Sequence, residues 1–169
     1  MVVLLLGPVF EQSVASNTNL ARVRKIIDDG FCEFVKDDSG HLAGRIIIVH
    51  ISLLKSKIHR AMVTGANVNY EGSITISADL ADEAGLEEYE RILAGNMTSG
   101  ERFETYVIYG ARGRGLIELN GATAHRGKPG DILTIMSFGW YDVEEAASHQ
   151  PNVILLDADN SVIRQSAPV

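Results

Sequence analysis

Tyr106-Val107-Ile108-Tyr109-Gly110-Ala111-Arg112-Gly113-Arg114-Gly115-Leu116-Ile117-Glu118-Leu119-Asn120-Gly121 places two β-prone runs on either side of a glycine-rich break. β-Branched and aromatic side chains suit a pleated surface, and glycine punctuates it, so the stretch reads as strand, loop, strand. The break fits neither a dinucleotide-binding nor a phosphate-loop pattern, and between two strands it reads as a hairpin loop. The same texture extends in both directions. Residues 45–51, 74–76, 132–138 and 153–156 are further β-prone runs, separated by Asn120-Gly121, Pro129-Gly130-Asp131 and residues 157–160. Residues 56–64 also read as extended, which would put Lys57, His59 and Ala61 on one face. Only residues 79–93 and 143–147 read as helix. Many short strands with few helices between them point to a closed barrel rather than a βαβ sheet, and closure would remove exposed apolar edges.

The first 48 residues have a different character. Leu20, Val23, Ile26 and Ile27 fall on one helical face, Asp28-Asp29-Gly30 reads as a stop, and residues 36–40 read as a turn between two extended pieces. No chemistry is visible there. The apolar start at residues 1–6 halts at Gly7-Pro8 without a basic flank, too short for a membrane span and a poor secretory signal.

Size and composition bound the function. The 169 residues suffice for one barrel domain with an appendage, and 46% apolar with 22% charged residues is an ordinary globular balance. A net charge of -7 argues against nucleic acid, which needs a basic face, but not against a small anionic substrate. Cys32 is the one cysteine, so it forms no internal disulfide, consistent with a reducing cytoplasm. The five histidines show no i,i+4 pairing and no HExxH or CxxC pattern occurs, so no metal site is expected. The acidic residues Asp82, Glu83, Glu87, Glu88 and Glu90 read as the wet face of a helix.

Tyr70-Glu71-Gly72-Ser73 carries the chemistry. A serine can cut the bond before it. Its hydroxyl attacks the preceding carbonyl, the amide shifts to an ester, and elimination followed by hydrolysis leaves a pyruvoyl group at a new N-terminus. Such a ketone captures an amine as a Schiff base without pyridoxal phosphate. Gly-Ser alone is a common loop dipeptide, and its neighbours decide the matter. Lys57-Ile58-His59-Arg60-Ala61 leads into Asn69-Tyr70-Glu71-Gly72-Ser73. Gly100-Glu101-Arg102-Phe103-Glu104-Thr105-Tyr106, Ile117-Glu118-Leu119-Asn120-Gly121-Ala122 and Pro129-Gly130-Asp131-Ile132 then follow in order.

From Val49 onward this series resembles the bacterial aspartate 1-decarboxylase family. The resemblance implies a mainly β fold, a double-psi β-barrel with short helices, preceded by an N-terminal extension of uncertain structure. It implies domains at 1–48 and 49–169, cleavage between Gly72 and Ser73, and a covalent pyruvoyl cofactor derived from Ser73, with no metal. L-aspartate would become β-alanine and CO2 for pantothenate and coenzyme A synthesis, in a cytoplasmic homotetramer with active sites between subunits. A helper protein for maturation is a further partner to consider, with no role for nucleic acid or membrane.

Residue by residue, Ser73 matches the Schiff-base residue and Tyr106 the proton donor, since a phenol carries a proton to give at neutral pH. Lys57 and Arg102 match cationic anchors for the two carboxylates, with Arg102 offering the better fork. Thr105 matches a residue of self-cleavage and substrate contact. Gly121, Ala122 and Thr123 match the stretch lining the substrate, Asn120 would polarise a carbonyl, and Tyr70 would shape the cleavage loop. Gly72, lacking a β-carbon, would ease attack on its carbonyl.

Three departures stand out. Thr123 replaces an alanine of many relatives, which would alter pocket packing, and Gly95 stands where a tryptophan often occurs. The 48-residue extension reads either as a gene model begun upstream of the true start or as a genuine docking or regulatory element. The alternatives are a pyruvoyl decarboxylase of another amino acid, such as glutamate, and an uncleaved barrel serving as a binding or assembly subunit.

Overall fold

The computed structural model describes residues 23–27, 30–36, 42–47 and 49–166, the first three stretches by their backbone alone. The chain divides into two units, residues 1–49 and 50–169. In the first, β1 (Val23–Ile27), β2 (Gly30–Lys36) and β3 (Leu42–Ile47) form an antiparallel sheet in that order. The helical reading of Leu20 to Ile27 is therefore corrected. Five of its residues form β1, pairing Val23 with Phe34 and Ile27 with Gly30. Spacing of apolar residues at three and one does not separate helix from strand over so short a run. Residues 1–6, Leu20, Asp28-Asp29 and 37–40 lie outside the described residues. The β-prone run 45–51 is split, its first part ending β3 and Ile51 opening the next strand.

The second unit comprises β4 (Ile51–Met62), β5 (Gly65–Asn67), β6 (Ser73–Ser77), α1 (Ala78–Ala84), β7 (Arg91–Asn96), β8 (Arg102–Gly110), β9 (Ile117–Asn120), β10 (Ile132–Tyr141), α2 (Val143–Ser148), β11 (Asn152–Leu156) and β12 (Val162–Ser166). The strands hydrogen-bond in the order β12-β11-β4-β10-β7-β8-β6-β9-β5, parallel at β11–β4, β6–β8 and β5–β9. Six neighbour steps separate β4 from β5 in that series. A flat sheet would place them about 29 Å apart. Yet only Val63 and Thr64 join them, and three Cα steps reach at most about 11 Å. The sheet must therefore curl until its ends meet, as the barrel reading expects. Val63 N–H bonds Asp131 O, and Thr64 N–H bonds Ile117 O, across the join. Inside lie Ile58, Ile74, Ile92, Val107, Leu119 and Ile135, all at 1% exposure or less. Each such side chain contributes roughly 1.5–3 kcal/mol by leaving water.

Asn160 locks the closure. It is 2% exposed, with a left-handed φ of 57° that asparagine tolerates better than most residues. Its side chain accepts from Met62 N at 2.8 Å and donates to Met62 O and Gly115 O, each at 2.8 Å. Asn160→Ala removes the partner of three half-buried backbone groups and is expected to lower the unfolding free energy by about 3 kcal/mol in a denaturant titration. A loss below about 1 kcal/mol would show that the clamp is not needed.

Four local readings change. Residues 79–93 are not one helix: α1 ends at Gly85, whose φ of 70° caps it with bonds to Ala81 O and Asp82 O, and Tyr89 (φ 67°) also leaves helical space before β7. The acidic cluster is thereby split. Asp82 pairs with Arg112 at 2.6 Å and Glu90 with Lys55 at 2.7 Å. Burial pushes the Glu90 carboxyl up, but the Glu87 N–H and Lys55 outweigh this and hold it below its ordinary value.

Residues 110–115 are not a hairpin loop, because β6 lies between β8 and β9, pairing with both. Ala61 does not share a face with Lys57 and His59. Arg60 (φ 65°) makes a bulge opposite Leu133/Thr134 and turns Ala61 inward with Ile58. The expected helix at 143–147 is present as α2, with an Asp142/Glu145 capping box.

Candidate active site

β6 opens at Ser73, directly after the exposed residues Tyr70, Glu71 and Gly72. Apolar Ile74 and Ile76 alternate toward the core, so Ser73 and Thr75 face the other side. Ser73 is nevertheless fully buried. Its antiparallel partner on β9 is Asn120. On the other flank Ile74 pairs with Val107 in parallel, which sets Tyr106 beside Ser73.

The amide of Asn120 is spent entirely on hydroxyls. Its Nδ2 donates to Ser73 Oγ at 3.0 Å and to Thr75 Oγ1 at 2.8 Å. Both amide hydrogens are used. In the uncut chain Asn120 thus meets the Ser73 hydroxyl. With a lone pair occupied, Ser73 directs its own hydrogen to Glu71 O, 3.5 Å away and weakly held. Thr123, 7% exposed, stands in the 3-10 turn Gly121–His125, with Oγ1 2.9 Å from both Ser73 O and Asn120 O. Its hydroxyl is a hydrogen-bond partner of the serine's carbonyl.

The glycine that sterics demand is Gly121. It has φ 60°, and a β-carbon there would stand 2.6 Å from Tyr70 O and 2.8 Å from Gly72 N. At Gly72 a β-carbon would meet nothing within 4 Å. Gly121→Ala must therefore push the 70–72 segment away from Ser73. On a denaturing gel this variant is expected to remain mostly uncut under conditions that cleave the parent chain. Cutting at the parent's rate would remove Gly121 from the placement of that loop.

Arg102 and Tyr106 are four apart in β8 and share its outward face, while Thr105 alternates to the face of Val107. Thr105 makes no side-chain hydrogen bond among the described residues. Lys57 lies on β4, four strands from β6 in the series, beside the core residue Ile58 and facing away from it. Neither Lys57 nor Arg102 has an ion-pair partner among the described residues. Burial, then the charges of Lys57 and Arg60, hold His59 below its ordinary value. This chain therefore gathers Ser73, Asn120, Thr123, Gly121 and Tyr106, with Tyr70 close to them.

A cleft of about 590 Å³ opens beside this cluster, lined by Tyr70, Thr75, Ile108, Tyr109, Glu118 and Asn120 among others. Tyr109 donates to Leu86 O at 2.7 Å, and burial, then nearby Glu87 and Asp82, push its phenol up.

The residues around Ser73 fit a group made from that serine. Its hydroxyl and carbonyl each have a hydrogen-bond partner, and the residues before it are exposed. The family model for aspartate decarboxylase matches residues 49–163. The chain belongs to the aspartate decarboxylase family. The family's double-psi β-barrel is the closed barrel of residues 51–166. Aspartate 1-decarboxylase of Desulfotalea psychrophila is 47% identical over 110 residues, 65% of this chain and 92% of its own length. That of Bordetella avium is 50% identical over 110 residues, 65% and 90% of the two chains. The Heliobacterium modesticaldum enzyme is 55% identical over 109 residues, 64% and 83%. Thr75, which the structure places against the Asn120 amide, was not singled out from the sequence. Its position two residues after Ser73 on a strand was the available signal.

Proposed function

We propose that this chain is a proenzyme that cuts itself between Gly72 and Ser73. The mature form then converts L-aspartate to β-alanine and CO2, supplying pantothenate and coenzyme A synthesis in the cytoplasm. The observation that carries this is the buried Ser73 hydroxyl, held by Asn120 at the first residue of β6 directly behind an exposed loop. The ketone left at Ser73 supplies an amine-capturing electron sink, with no pyridoxal phosphate or metal. The remaining work falls to ordinary side chains. Arg102 and Lys57 hold the substrate's carboxylates by charge-assisted bonds, roughly 1.5–3 kcal/mol each. Tyr106, beside Ser73, delivers a proton to the carbon that loses CO2. Thr105 and the Gly121-Ala122-Thr123 stretch complete the cleavage and substrate surfaces.

In this reading the active sites lie between protomers of an assembly. The outward apolar side chains Phe138 and Trp140, the latter 73% exposed, support self-association, in this reading as a tetramer. A helper protein enters only if the purified chain fails to cut on warming.

The test is direct. Purified, warmed protein should run as two fragments and release β-alanine from L-aspartate in preference to CO2 loss from L-glutamate. Preference for glutamate would move the reading to another amino acid. A single chain releasing nothing would leave only a binding or assembly barrel.

A further inference from the structure

We propose that the Thr123 hydroxyl is a catalytic donor for the elimination step of self-cleavage, stabilising negative charge on the Ser73 carbonyl oxygen. This rests on the cut at Gly72–Ser73 proposed above and assigns a residue to one of its chemical steps. Attack by Ser73 Oγ moves the Gly72 acyl group from nitrogen to oxygen, leaving Ser73 with a free amine and an ester on its side chain. Elimination then removes the Ser73 Cα proton to solvent hydroxide. The C–H electron pair becomes the Cα=Cβ double bond, and the Cβ–Oγ bond breaks with its pair leaving on Oγ, as the Gly72 carboxylate. The resulting enamine takes up water and releases ammonia to give the ketone.

While the Cα proton departs, charge accumulates on the one carbonyl conjugated to that carbon, Ser73 C=O. Thr123 Oγ1 lies 2.9 Å from that oxygen, in a turn that keeps it buried. The hydroxyl carries a single hydrogen and faces two acceptors, Ser73 O and Asn120 O, at equal distance. In the resting chain the two oxygens compete for it. As charge grows on Ser73 O the hydrogen commits to that side, so the bond strengthens in the transition state more than in the ground state. The Asn120 amide complements it from the other end. Its Nδ2 lies 3.0 Å from Oγ, the atom that becomes the leaving group. Thr75 holds that amide in place at 2.8 Å.

The test follows intact masses over time for the parent chain and for Thr123→Val and Thr123→Ser, with hydroxylamine added to portions of each. Hydroxylamine opens the ester and leaves a fragment beginning with an unmodified Ser73, which mass separates from the keto-capped fragment. Thr123→Val should form ester at the parent's rate but eliminate about tenfold more slowly, as expected for one lost hydrogen bond of ordinary strength. The hydroxylamine-sensitive fraction should rise accordingly. Thr123→Ser, which keeps the hydroxyl, should restore the parent's distribution. Thr123→Ala should repeat the valine result if valine proves too bulky to fold.

Keto-capped fragment appearing at the parent's rate in both Thr123→Val and Thr123→Ala would overturn the assignment. So would accumulation of uncut amide without ester. A parent chain that never cuts removes the decarboxylase reading itself. A parent that cuts, matched by its variants, removes only the role of Thr123.

Discussion

Ser73→Ala is expected to remain one chain after prolonged warming and to release no β-alanine from aspartate, while keeping the barrel. Loss of activity should be complete and not graded, because no other hydroxyl is in place to make the cut. Thr75 Oγ1 and Thr123 Oγ1 already serve Asn120 and Ser73 O, and neither side chain belongs to the residue after Gly72. Alanine leaves one Asn120 amide hydrogen without a partner in a buried position, costing about 1–3 kcal/mol. A core of ten or more fully buried aliphatic side chains can absorb that loss. Circular dichroism should therefore match the parent's. A Ser73→Ala chain that still cuts, or that still releases CO2, would place the electrophile elsewhere.

The second large effect is expected at Tyr106. Ile74 pairs with Val107, so Tyr106 flanks Ser73 on the neighbouring strand, within reach of whatever carbon is joined there. Tyr106→Phe removes the proton and little else. It should cut like the parent, because the hydrogen bonds around Ser73 run through Asn120 and Thr123. Turnover should fall by roughly 10²–10⁴, the range for losing a positioned acid, with KM nearly unchanged. Equal kcat in the two proteins would remove Tyr106 from proton delivery. Failure of Tyr106→Phe to cut would instead assign it to maturation.

What was legible in the sequence was what local pattern determines. Ile74-Thr75-Ile76 and residues 132–138 alternate or run apolar between turn residues, and both became strands of the barrel. The match of Lys57, Gly72-Ser73, Arg102, Tyr106 and Asn120 to a family was legible because four blocks keep their order. What stayed hidden depends on distant chain. No local signal says that β6 slips between β8 and β9, and so the loop after Gly110 looked like a hairpin. Arginine rarely takes positive φ, which concealed the bulge at Arg60 and the inward turn of Ala61. A helix pattern ran on through Gly85 because the acidic residues beyond it are good helix formers. The cap geometry ended it. The hydroxyl contact of Thr123 could not be read at all, since 50 residues separate it from the carbonyl it meets.

The central claim is that Ser73 becomes a ketone at a new chain start. The most direct measurement is the intact mass of the fragment beginning at position 73, before and after treatment with a hydrazine. A fragment with a keto cap that gains one hydrazone is the expected result. An unbroken Gly72–Ser73 bond in folded protein, or a fragment whose first residue is unmodified serine and takes up no hydrazine, would contradict it.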